Sequence, residues 1–163
     1  MSEYEILLAS LREKGLTLGS VESLTGGLFG SRICEIAGAS DVYVGGLITY
    51  SAYEKTRLAF VNEETISRYG LVSPEVASSM ASGGKRALGA DIVVSCTGNA
   101  GPSVQSGDPT VGKVFLGLCY RGQVWTIPLQ LSGERNAIRE EAARMMVNFI
   151  LSLFPKNVNE NEK

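Results

Sequence analysis

Residues 73–97, SPEVASSMASGGKRALGADIVVSCT, spell out one helix and the strand that follows it. Ser73 can cap a helix, Pro74 suits its first turn, and Glu75 is favoured there by the helix dipole. The helix runs to about Leu88. Residues 91–97, DIVVSCT, then read as a buried strand, because a short apolar run bounded by turn signals suits burial on both faces. The next segment, GNAGPSVQSGDPT, is rich in Gly, Pro, Ser and Asp and is expected to be irregular.

The same alternation extends in both directions. Upstream, an amphipathic helix is expected over residues 3–14, with Tyr4, Leu7, Leu8 and Leu11 on one face and Gly15 ending it. Leu16 to Glu22 reads as a strand, and ESLTGG opens a second helix reaching about Ala37. Asp41 to Tyr50 is strand-like, SAYEKTRLAF is a short helical piece, and Asn62 caps a further helix that ends at Gly70. Downstream, VGKVFLGLCY and QVWTIPLQL form a hairpin around Arg121-Gly122, and Pro128 assigns the second strand to a sheet edge. A final helix covers about residues 134–154, followed by a polar tail, residues 155–163, expected to be disordered. The pattern predicts one layered α/β/α domain over residues 1–154 with a mixed, partly parallel sheet.

Composition narrows the chemistry. The 163 residues suit a single core, and a net charge of −2 without a basic cluster argues against nucleic acid or an anionic membrane as partner. No apolar run approaches the roughly 20 residues of a membrane helix, and the N-terminus lacks a signal-peptide pattern. Cys34, Cys96 and Cys119 sit in apolar segments and read as buried, reduced thiols of a cytoplasmic protein. There is no histidine. A Ser-His-Asp triad, a Cys-His pair and histidine-ligated zinc are therefore excluded. Asp41, Asp91 and Asp108 are scattered and form no metal motif, and no cofactor is implied.

Four segments can carry chemistry. Glu22-Ser23-Leu24-Thr25-Gly26-Gly27 lies where a strand turns into a helix, so Ser23 is placed as a nucleophile would be. The glycine amides at the helix start suit an oxyanion or a phosphate. A helix cap with turn glycines has the same sequence pattern. In Tyr50-Ser51-Ala52-Tyr53-Glu54-Lys55, the lysine is the leading base for a serine in a chain without histidine. It must be neutral to accept the proton, through burial or a nearby cation such as Arg57; a solvated surface lysine is the plain alternative. Thr97-Gly98-Asn99-Ala100-Gly101-Pro102 follows a buried strand and can form an anion-binding nest or merely a tight loop. Arg135 and Arg139, four apart near a helix start, face an unfavourable dipole, which an anionic ligand or surface salt bridges would offset.

Taken in order, VESLTGG, GGLITYS with its downstream lysine, GLVSPEVASSMASGGKRALGADIVVSCTGNAGP, PTVGKVFLGL and SGERNAIR resemble the CinA C-terminal domain family, the nicotinamide-nucleotide amidases. The resemblance runs from about Leu16 to Phe154 and is to the stand-alone form, without the large N-terminal domain of many members. It implies deamidation of nicotinamide mononucleotide to nicotinate mononucleotide and ammonia, in pyridine-nucleotide salvage and without a metal. It implies Ser23 as nucleophile, Lys55 as base and Tyr50 as the tyrosine that orients Lys55 or passes a proton. Thr25, Gly26, Gly27, Thr97, Gly98, Asn99, Ala100, Gly101, Arg135 and Arg139 are the expected substrate-binding positions. Three positions depart from the family pattern: Asn99 stands for an isoleucine, Lys113 for a threonine, and Glu134 for an aspartate. A non-catalytic nucleotide-binding module and an amidase for another amide are the competing readings. A homo-oligomer, by base rate a dimer, is the expected assembly.

Overall fold

A computed structural model describes residues 1–104 and 110–156. The elements follow as α1 (Glu3–Lys14), β1 (Leu18–Glu22), α2 (Leu28–Cys34), β2 (Tyr43–Ile48), α3 (Ala52–Ala59), α4 (Glu63–Tyr69), α5 (Pro74–Leu88), β3 (Ile92–Gly98), β4 (Lys113–Tyr120), β5 (Gln123–Gln130) and α6 (Arg135–Leu151), with a 3-10 turn at Ala39–Asp41. The sheet order is β2-β1-β3-β4-β5. β2, β1 and β3 run parallel, and β4 and β5 add an antiparallel hairpin. The α/β architecture and mixed sheet are those expected, and Pro128 lies on an outermost strand, where its missing N–H breaks no ladder.

Local chemistry explains most boundaries. Ser2 and Glu5 form a reciprocal capping box on α1, and Gly15 ends that helix in the left-handed conformation. The Ser73 hydroxyl accepts from the Val76 amide, Pro74 fills the first turn of α5, and Gly89 closes it. Arg121 and Gly122 both have positive φ, as a tight two-residue hairpin turn requires. Several boundaries are tighter than expected: β1 starts at Leu18 rather than Leu16, β2 spans only Tyr43–Ile48, α6 ends at Leu151, and α2 differs at both ends. α2 starts only at Leu28, because Gly26 and Gly27 have positive φ, and it stops at Cys34 rather than Ala37. Cys34 is exposed, since the short helix buries the face carrying Phe29, Gly30 and Ile33 instead. Cys96 and Cys119 are buried, as expected. Residues 157–163 of the expected tail lie outside the described residues, as do 105–109 of the long loop.

The sheet separates two apolar layers. On one face α1, α2 and α6 pack Leu7, Leu11, Phe29, Ile138 and Met146 against Leu18, Ile92, Val94 and Leu116. On the other, α5 and the end of α3 pack Val76, Met80 and Ala59 against Val21 and Val93. α5 lies unusually close to its neighbours. A Cβ added at Gly83 would fall 1.5 Å from the Ala59 carbonyl oxygen of α3, and one at Gly84 would fall 2.4 Å from a Val21 methyl. The connection leaving β1 runs to the α2 face and that leaving β2 runs to the α5 face. The strand order reverses between β1 and β3, and the carboxyl ends of strands at such a reversal are the position that binds ligands in open α/β sheets.

Candidate functional site

The parallel strands β1, β2 and β3 deliver Ser23, Thr49–Tyr50 and Gly98–Asn99 to one edge of the sheet. The Thr49 amide donates to the Glu22 carbonyl (2.8 Å), so β2 stays paired with β1 one residue beyond the strand. Ser51 then caps α3 through the Glu54 amide, which starts the helix at once and turns Lys55 back over the strand ends. Lys55 Nζ donates to Ser23 Oγ at 3.0 Å and to the Thr49 carbonyl at 2.7 Å. Lys55 is 2% exposed, and this burial lowers its pKa from 10.5 to about 8. Arg57 plays no part in that: it is exposed and paired with Glu54 at 2.7 Å. An amine of this kind is neutral in a substantial fraction of molecules near pH 8. It can accept the serine proton while the Thr49 carbonyl holds it in place.

A cavity of about 180 Å³ opens beside this pair. Ser23, Leu24 and Tyr50 form one wall; Gly98, Asn99, Ala100, Ser103 and Val104 form the other. Arg135 closes the end, donating to the Gly101 carbonyl (2.7 Å) and the Tyr50 hydroxyl (2.9 Å), and it alone among the described lining residues carries a charge. Tyr50 therefore partners Arg135. The orienting contact on Lys55 comes from the Thr49 carbonyl instead, a main-chain group invisible in a motif.

The remaining expected positions divide into lining and supporting groups. Gly98, Asn99 and Ala100 reach the cavity. Asn99 is buried, and its side-chain amide donates to the Thr110 carbonyl at 3.1 Å. Its main chain bonds Lys113 and Gly112 at 3.0 and 2.7 Å, so the asparagine side chain adds one more tie to a neck the main chain already holds. Thr97 is buried and donates to the Leu71 carbonyl at 2.8 Å; Thr25 is buried against Cys96 at 3.1 Å. Neither lines the cavity. The amides of Gly26 and Gly27 do not form the expected anion cradle: the first donates to the Ser23 carbonyl (3.0 Å), the second to the Glu22 carboxylate (3.2 Å). Arg139 donates to the carbonyls of Leu24 and Thr25, both at 2.9 Å. It supports the serine turn, whereas Arg135 faces the cavity. Burial, and next the charge of Glu22, push the Cys96 thiol up to about 11, which keeps it protonated. Among the described residues no group of three acidic, Cys or His side chains is placed to hold a metal, and no helix is long and apolar enough to cross a membrane.

Sequence reasoning did not single out Glu22 or Thr49. A signal for Glu22 was available: α2 begins at a glycine without a capping side chain, so its first amides need an acceptor from elsewhere.

The sequence and fold of the chain match a known family. The CinA C-terminal domain model aligns with residues 2–154, and the chain belongs to that family. The "CinA-like protein" of Kosmotoga olearia is 44% identical over 146 residues, 90% of this chain and 35% of that protein. The chain spans about a third of the length of the curated relatives it matches. Among solved structures, the competence or damage-inducible protein from Enterobacter asburiae superposes with a TM-score of 0.91 at 27% identity, covering 94% of this chain and 96% of that one. The competence/damage inducible protein CihA from Agrobacterium tumefaciens gives 0.88 at 31% identity, covering 95% and 98%.

Proposed function

We propose that the chain is a serine–lysine amidohydrolase that deamidates nicotinamide mononucleotide. The observation that carries this reading is the 3.0 Å contact between Lys55 Nζ and Ser23 Oγ, made by a lysine whose burial brings its pKa to about 8. Neutral Lys55 takes the proton of Ser23 as Oγ attacks the carboxamide carbon. The tetrahedral intermediate collapses, the C–N bond breaks, and Lys55 returns the proton to the departing nitrogen, releasing ammonia. Water then attacks the acyl-serine ester with Lys55 again as base, and the carboxylate product leaves as Ser23 recovers its proton.

With the Gly26 and Gly27 amides engaged elsewhere, we assign the oxyanion to the amide of Leu24, the residue after the nucleophile, which lines the cavity. Strand–turn–helix serine hydrolases use the amide at that position. Arg135 meets the anionic part of the substrate, and Tyr50 holds its guanidinium. No metal is required in this scheme.

The test is ammonia release from nicotinamide mononucleotide by the parent chain, Ser23→Ala and Lys55→Ala. Turnover by the parent with a loss of at least 100-fold in both variants supports the reading. Full activity in Ser23→Ala refutes the mechanism, and an inactive parent that hydrolyses other amides refutes the substrate.

A further inference from the structure

The turn between β1 and α2 is gripped through both kinds of main-chain group. From one side, the carboxylate of Glu22 accepts the amides of Gly27 (3.2 Å), Phe29 (3.0 Å) and Gly30 (3.2 Å), and the Ser20 hydroxyl at 3.4 Å. From the other, the Arg139 guanidinium donates to the carbonyls of Leu24 and Thr25. Ser23 stands between the two grips. Glu22 is 1% exposed, and among the described residues no cation pairs with it. A buried carboxylate is expensive unless donors satisfy it, and here the start of α2 supplies them.

An ordinary helix cap would be a Ser, Thr or Asp at the position of Gly27. Here the acceptor lies five residues upstream, across the turn, so capping α2 also fixes the path of residues 23–26. The main chain of Glu22 has a second connection: its carbonyl accepts the Thr49 amide, and the Thr49 carbonyl accepts Lys55 Nζ. One residue is thus adjacent to Ser23 in sequence and two hydrogen bonds from Lys55.

We propose that Glu22 is a positioning residue for the Ser23–Lys55 pair, with Arg139 as its counter-grip, and that neither touches substrate. This rests on the reading of Ser23 as nucleophile. It also means that the anion site at the start of α2 is filled by the protein's own carboxylate, which leaves Arg135 as the cation for a substrate anion.

Glu22→Gln keeps the size of the side chain but sets an NH2 group against amides that can only donate. Arg139→Lys keeps the charge but cannot reach both carbonyls in the fork geometry. The measurement is the second-order rate of Ser23 modification by a fluorophosphonate, followed by intact mass and peptide mapping, with Ser23→Ala as blank. It is run from pH 6 to pH 9.5 on chains shown by thermal melts to be folded at the assay temperature. The expected result is a rate at least tenfold lower in each variant with an unchanged pH midpoint, because Lys55 keeps its burial. Rates within twofold of the parent in folded variants overturn the proposal. If Glu22→Gln does not fold, Arg139→Lys decides alone by the same limits. A parent that labels at Ser23 but releases no ammonia from nicotinamide mononucleotide sinks the substrate assignment and leaves the positioning test valid. A parent that does not label at Ser23 overturns the positioning proposal as well.

Discussion

Replacing Lys55 with Met removes a buried ammonium while roughly keeping its volume, and it should change how stability depends on pH. The folded protein releases the Lys55 proton near pH 8, whereas the unfolded chain releases it near 10.5. Between these values the unfolded chain binds more protons, so stability rises with pH. The penalty is fully present below pH 8 and gone above 10.5. Its full size follows from that pKa difference at 1.36 kcal/mol per unit, roughly 3 kcal/mol, of which about 2 kcal/mol is relieved between pH 7 and pH 9.5. Lys55→Met has no such group. Urea unfolding of parent and variant in parallel at several pH values isolates it, because every other titrating group cancels in the difference. The parent should gain about 2 kcal/mol relative to the variant between pH 7 and pH 9.5. At pH 7 the variant should equal or exceed the parent in stability, since the lost penalty outweighs the unpaired Thr49 carbonyl, which costs about 1–3 kcal/mol. A difference that stays flat with pH would refute the buried-amine argument, and with it the claim that burial prepares Lys55 as a base.

Two further outcomes follow from the same geometry. The rate of ammonia release at low substrate should rise with pH to a plateau with a midpoint near 8, the pKa at which Lys55 becomes neutral; a pH-independent rate from 6 to 9.5 would exclude Lys55 as base. Gly83→Ala places a methyl 1.5 Å from the Ala59 carbonyl, so α3 and α5 must separate. The expected loss is about 1–3 kcal/mol or more, as for other overpacked cores, read as a drop in melting temperature, and a neutral result would show that the two helices pack less tightly than described.

The parts of the fold legible in the sequence are those written in local signals. α5 could be bounded from Ser73, Pro74 and Gly89 because capping and termination act within a few residues. The hairpin at Arg121-Gly122 and the edge position of Pro128 follow from backbone conformation and a missing donor. The sequence pattern makes α2 too long, because Gly26 and Gly27 resemble helix-opening residues while their positive φ delays the helix to Leu28. A local pattern also leaves their amides without acceptors, whereas the fold gives them to Ser23 and Glu22. Ser23 and Lys55 were reachable by elimination, since no histidine exists, but their contact spans 32 positions and depends on strand order, which no local pattern contains. The division of labour between Arg135 and Arg139 was illegible for a similar reason. Both project from one helix, and which of them meets the cavity is decided by the distant turns each one reaches.

Ser23 follows β1 on the turn that leads to α2 on one side of the sheet, and Lys55 hangs from α3 on the other. Their 3.0 Å separation consequently registers how the α2 and α3 layers sit on the sheet between them. Any core substitution that slides one helical layer past the other is read out at that gap, and a misplacement of about 1 Å in a reacting pair can lower a rate about 100-fold. Turnover, more than melting temperature, is then the sensitive measure of a volume change under α5 or α6.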